Sequence, residues 1–256
     1  MHRLALVVLF AAFSQIAPAQ TAISNDAQAV TLAQQAITAL TASATISDVT
    51  LTGNVTQIYG SDNETGTGTF SAKGIGESRI DLDLNGKKRS DVRNLTNGGA
   101  WSENGKPSKA YAGHNCVTDA AWFFPAFSSL AQTANSNFVF KYVGQEQHGG
   151  LNTNHIQVYQ LPTQASLPSL QRLSTIDFYL DPISSLPLSI SFKTHADNNM
   201  FLDIPVAVNF ANYQSVNGIL IPFHIQQMLN GTVVLDVTLT AVQLNKGLPD
   251  SLFTLP

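Results

Sequence analysis

The chain has 256 residues and a formal net charge of −4, and only 12% of its residues are charged. Its Lys and Arg residues are scattered, so a nucleic-acid groove has no electrostatic footprint. A single cysteine, Cys116, excludes an intramolecular disulfide, and stability must come from burial, for which a chain of this size has enough apolar surface.

Met1-His2-Arg3 opens the chain with a positive charge, and Leu4 to Phe13 follows as an apolar run. Ala17-Pro18-Ala19 then gives the small-x-small pattern that signal peptidase reads. The run is shorter than the roughly 20 residues that cross a bilayer. The expectation is a leader over residues 1–19, cleaved after Ala19, and an exported chain, periplasmic or secreted. Residues 20–256 are expected to form one domain with no transmembrane segment. No cysteine adjoins the junction, so a lipid-modified N-terminus is not expected.

Between Asp26 and Ala42 the apolar residues Val30, Ala33, Ile37 and Leu40 recur at steps of three and four, the spacing of an amphipathic helix. Ser24 or Asn25 is placed to cap it. From Ser47 the period becomes two, with Val49, Leu51 and Val55 facing away from Thr50, Thr52, Asn54 and Thr56. Ile80, Leu82 and Leu84 alternate with Arg79, Asp81 and Asp83, a strand with one wet face. Phe138, Phe140 and Tyr142 alternate with Val139, Lys141 and Val143, and Ile190 and Phe192 with Ser189, Ser191 and Lys193. Val233, Leu235, Val237 and Leu239 close the series. Asn85-Gly86, Asn97-Gly98, Asn104-Gly105, Gly149-Gly150, Asn217-Gly218 and Asn230-Gly231 punctuate the runs, and such pairs accept the positive φ that tight hairpins demand. Short links between strands predict an antiparallel meander.

Two segments interrupt the strands. Val117 to Ser136 is aromatic and Ala-rich with helical spacing, and Pro125 should begin or kink a helix there. Leu167 to Leu173 reads as a further helical turn.

Chemistry is not visible in the motifs. His114 beside Cys116 invites a nucleophile-and-base reading, but no glycine elbow or well-placed acid accompanies the pair, and a buried small thiol accounts for it. The histidines fall in no helical metal-binding pair, and His148 and His155 flank the Gly149-Gly150 turn, where they could face each other across a hairpin, with no third ligand identifiable. Asp62-Asn63-Glu64 and Asp81 to Gly86 lack the distant glutamate of a calcium loop and read as solvent-facing carboxylates. Neither a cofactor nor a metal is expected, and the chain is read as non-enzymatic. Trp122, Phe123, Phe124 and Phe127 carry more apolar surface than one side of a short helix uses. They serve either as core packed on the sheet or as a lid over an apolar cavity.

Phe178-Tyr-Leu-Asp181-Pro182 followed by Leu186-Pro187-Leu188 reads as strand, turn and returning strand. Tyr213 to Pro222 around Asn217-Gly218, Gly231 before a long strand, and the closing Phe253 to Pro256 complete an order. With the leader and first helix, this order resembles the LolA-like group of periplasmic lipoprotein carriers, which includes LolA, LolB and RseB-type domains. The likeness is clearest over residues 175–256. It implies a mainly β (α+β) fold, a curved antiparallel sheet forming an incomplete β-barrel with helices on its concave face, and a lipid or acylated ligand. The chain is longer than the best-known carriers and offers no arginine matching their cavity residue, so the likeness carries further for a hydrophobic ligand than for lipoprotein transport. Trp122, Phe123, Phe124, Phe127, Phe138, Phe140 and Phe192 are the expected lipid contacts. An acyl chain or other hydrophobic small molecule is the expected partner, and the alternative is an envelope interaction or sensor domain that binds a protein through the same sheet.

Overall fold

The computed structural model describes residues 24–94, 98–161 and 169–255. The leader and its cleavage site lie outside them, as do Asn97 of one turn signal and the start of the Leu167 to Leu173 piece. The chain begins with helix α1 (Ala27–Thr41) and continues as β1 (Asp48–Tyr59), β2 (Asp62–Lys73), β3 (Glu77–Leu84), β4 (Lys87–Asn94), β5 (Gly98–Glu103) and β6 (Lys109–Ala110). After a long connection follow β7 (Phe138–His148), β8 (Leu151–Gln160), the short α2 (Leu170–Ser174) and β9 (Ile176–Leu180). The chain finishes through β10 (Pro187–Ala196), β11 (Asn199–Val216), β12 (Ile219–Leu229) and β13 (Thr232–Leu244).

The strands form one antiparallel 13-stranded sheet in the order β6-β5-β4-β3-β2-β1-β13-β12-β11-β10-β9-β8-β7. It is two meanders joined by a single pairing, β1 to β13, with Val49 opposite Leu244. The sheet curls without closing, as an incomplete barrel. The hairpins form where Asn-Gly and Gly-Gly pairs predicted them: Asn85-Gly86, Gly149-Gly150, Asn217-Gly218 and Asn230-Gly231 all adopt positive φ.

Period-two alternation sorts the sheet faces. One row of inward residues runs from Ile156 through Phe178, Ile190 and Val208 to Gln227, Leu235 and Gln57. Its apolar members on β8 to β11 are buried, as are Val49, Leu51, Val55, Leu82 and Leu84 on β1 and β3. Against them lies α1, which contacts β7, β8 and β12. Its buried face is Ala29, Ala33, Ala36 and Leu40, turned slightly from the expected stripe, so that Val30 and Ile37 are half-buried. Alanines on that face let the helix axis approach the sheet closely. The N-cap is Asp26, whose carboxylate accepts the Gln28 N–H at 2.9 Å. Asn25, an expected cap, instead accepts the backbone N–H of Phe140 at 3.0 Å, docking the start of the helix on the edge strand β7.

The sequence expectation fails at Val117 to Ser136, which forms no α-helix. Only two 3-10 turns occur there, Pro125–Phe127 and Ser129–Gln132. Trp122, Phe123 and Phe124 are consecutive and all at least partly buried, which one helix face does not allow. Pro125 also has no N–H to continue a helical ladder. Val139 is buried as well, opposite the buried Tyr159 of β8.

The tight coil of β2 over β3 depends on small residues. A Cβ on Gly66 would lie 1.9 Å from the carbonyl oxygen of Asp83, and one on Gly68 would lie 2.7 Å from Cγ2 of Val55. Gly66→Ala is therefore expected to lower stability by about 1–3 kcal/mol in urea denaturation. Gly113→Ala, where a Cβ meets open space, should change it by less than about 0.5 kcal/mol. Equal effects at the two positions would refute this account of the curl.

Candidate ligand-binding groove

The concave face is unevenly filled. Helix α1 and the 3-10 turns cover the side formed by β7, β8 and β12, while the β1 to β5 side carries an open groove. A cavity of about 280 Å³ is lined by Gln57, Ile80, Leu82, Leu235 and Trp122, together with Arg89, Asp91, Arg93 and Tyr111. It runs into a second hollow of about 330 Å³ toward Tyr59, Glu64, Lys87 and Glu103, sharing Gln57, Leu82 and Arg89. The floor is apolar where β3 contributes Ile80, Leu82 and Leu84. It is polar where β4 places Arg89 opposite Leu82, Asp91 opposite Ile80 and Arg93 opposite Ser78.

These polar groups are ordered by one another. Arg89 donates from Nε to Asp91 at 2.8 Å and from a terminal nitrogen to the other carboxylate oxygen at 3.1 Å. Its guanidinium lies 5.0 Å from the Trp101 ring centroid. The Asp91 carboxylate holds Arg89 protonated, with a raised pKa. Tyr111 also donates to Asp91, and burial together with that negative charge raises the pKa of its hydroxyl.

Residues 111–124 form a strap across the open side of the barrel. The Asn115 side chain accepts the His195 N–H at 2.8 Å and donates to the His195 carbonyl at 2.8 Å, while His114 meets the Ala196 carbonyl at 3.1 Å. Arg93 of β4 donates to the carbonyls of Asn115 at 3.1 Å and Thr118 at 3.0 Å, and Gln160 of β8 donates to that of Val117 at 2.9 Å. The strap therefore ties β4, β8 and β10 together. Beneath it, Asp119 accepts the N–H of Ser129 at 2.8 Å and its hydroxyl at 3.2 Å. Cys116 is packed into this strap, and burial pushes its thiol pKa up, which is unfavourable for a nucleophile.

The residues expected to touch lipid separate into groups. Trp122 lines the groove. Phe123, Phe124, Phe127 and Phe140 are buried in the core, with Phe123 set edge-on to Phe70 at 5.4 Å and Phe124 to Phe127 at 5.0 Å. Phe138 is partly buried beside a separate cleft, and Phe192 beside a recess lined by Arg172 and Lys193. Sequence reasoning missed Gln57, Arg89, Asp91, Arg93 and Tyr111. The only apolar residue of β4, Val92, shares its phase with Lys88 and Ser90, so Arg89, Asp91 and Arg93 read as a wet face, and it is the register with β3 that places them on the inward row.

No protein-family model matches the sequence, and no curated protein matches it. Its fold, however, is shared with solved structures. A LolA superfamily protein from Nitrosomonas europaea superposes with a TM-score of 0.56 at 10% identity, covering 89% of this chain and 97% of the other. A putative outer membrane lipoprotein-sorting protein domain from Vibrio parahaemolyticus gives 0.55 at 12% identity, covering 88% and 96%. A DUF1329 family protein from Desulfovibrio piger gives 0.54 at 12% identity, covering 89% and 96%. The chain has the LolA-like fold.

Burial lifts the Asp119 carboxyl to about 6 from its ordinary 3.8, against the opposing pull of the Ser129 hydrogen bonds. As pH rises from about 4 to about 6, the unfolded chain gives up this proton before the folded one, so stability falls. A difference of this size corresponds to about 3 kcal/mol. Asp119→Asn, which keeps an acceptor and cannot ionise, is expected to gain stability relative to the native chain between pH 4 and pH 7 in urea titrations. Parallel pH profiles for the two proteins would contradict the assignment.

Proposed function

We propose that this chain is an exported, non-enzymatic binding protein of the cell envelope that holds a lipid or an acylated, lipoprotein-like ligand in the groove over β1 to β5. The observation that carries this reading is an open hollow on the concave face of a LolA-like sheet, with Ile80, Leu82, Leu235 and Trp122 placed to receive an acyl chain. The similarity to a putative outer membrane lipoprotein-sorting protein domain from Vibrio parahaemolyticus supports the same class of ligand. Export follows from the leader over residues 1–19, and residues 20–256 act as one domain. Affinity comes from apolar burial, about 25 cal/mol per Å² removed from water, and needs no cofactor. Trp122 makes the first contact. Phe123, Phe124, Phe127 and Phe140 reach a ligand only when the segment above them is displaced, and Phe138 and Phe192 lie at the margins of that region.

A second reading, an interaction or sensor domain for an envelope protein, draws on the exposed bulge at Phe201 and Leu202 between β10 and β11, where Phe201 is 73% exposed.

The deciding experiment is mass spectrometry of solvent extracts from natively purified protein, followed by thermal melts with fatty acids, lysophospholipids and phospholipids. At about 100 times the dissociation constant a ligand adds about 2.7 kcal/mol, equivalent to a rise of roughly 5–10 °C for a chain of this length. A clean extract and unmoved melts with every lipid class would sink the lipid reading and leave the protein-partner one.

A further inference from the structure

Arg79, Arg89 and Arg172 each form an ion pair with an aspartate: Asp81 at 2.6 Å, Asp91 at 2.8 Å and Asp203 at 2.6 Å. Arg93 differs. Among the described residues no carboxylate lies within ion-pair distance of it, and its hydrogen bonds go to the neutral carbonyls of Asn115 and Thr118. The acids that approach it are engaged elsewhere. Asp91 is taken by Arg89 and Tyr111, and Asp119 is turned to Ser129. Yet Arg93 is desolvated enough for burial to lower its pKa. A half-buried cation without a counter-ion is held at a cost in solvation. What exposure Arg93 keeps is onto the groove and onto the adjoining cleft of about 490 Å³ behind the strap, both of which it lines.

We infer that Arg93 is the counter-ion for the head of the ligand, and that the groove takes an amphiphile ending in an anionic group, a carboxylate or a phosphate. The head sits at Arg93, where groove and cleft meet, and the chain lies along Ile80, Leu82, Leu235 and Trp122. A planar guanidinium is suited to either anion through paired N–H donors. This rests on the acyl-binding reading above and narrows it from any lipid to one with a charged end.

The test is displacement of a neutral fluorescent probe, N-phenyl-1-naphthylamine, by three ligands with the same chain: oleate, oleoyl lysophosphatidate and methyl oleate. At pH 8, at least one of the two anions is expected to bind tenfold or more tighter than the ester, and the better of them names the head. Arg93→Gln should lose the preference for anions, read as the ratio of anion to methyl oleate affinity within the same protein. Arg93→Lys, which keeps the charge, should retain part of that preference, and this variant carries the test if the glutamine protein does not fold. Equal affinity for ester and anions in the native chain overturns the inference while leaving the acyl groove standing. A preference that persists in Arg93→Gln, or vanishes in Arg93→Lys, overturns the role of Arg93. If the native chain binds none of the three, the acyl-binding reading itself fails.

Discussion

The side-chain amide of Asn115 meets the backbone of His195 as another strand would, giving one hydrogen bond and receiving one. A curled sheet whose edges do not pair needs such a substitute. Its apolar concave face must be kept from water, and the edge strands β6 and β7 cannot close over it. The strap does so from the β4 and β10 sides at once, held by Arg93 on the β4 side and through Asn115 and His114 on the β10 side. The position of Trp122 at the groove, and of Phe123 and Phe124 in the core, follows from where those polar anchors hold the backbone.

The division between packed core and open groove has a compositional origin. Helix α1 presents alanines and Leu40 to the sheet, so it lies close to it. Over β3 and β4 the groove stays open, and there the inward row changes character from Ile80 and Leu82 on β3 to Arg89 and Asp91 on β4. The resulting hollow has an apolar floor and a polar wall. That pairing suits a molecule with two unlike ends better than a uniformly greasy one.

Much of the fold was legible because it is governed by local rules. Alternation marks the strands, Asn-Gly pairs mark the hairpins, and the order of elements in the sequence resembles LolA-like carriers. The strap was misread because its helical spacing was counted over residues whose burial is set from outside. Trp122, Phe123 and Phe124 are drawn in by contacts from different directions, and Asp119 caps a turn rather than a helix. The groove was less legible than the fold. Arg89, Asp91 and Arg93 look like an ordinary wet face, and only register with β3 reveals that they point inward. The aromatic residues were conspicuous in sequence, but most of them serve as packing.

The join between the two meanders carries a consequence for how the chain reaches this state. Hairpins supply nearly all of the strand pairing and can form early, because their partners are close in sequence. The pairing of β1 with β13 is different, since Val49 must find Leu244. Bringing such distant segments together is entropically slow. Until it happens, two long strands rich in Val, Leu and Thr stand with bare edges, the state most prone to pair with the wrong chain. The vulnerable moment in the life of this protein is therefore the interval before its first and last strands meet.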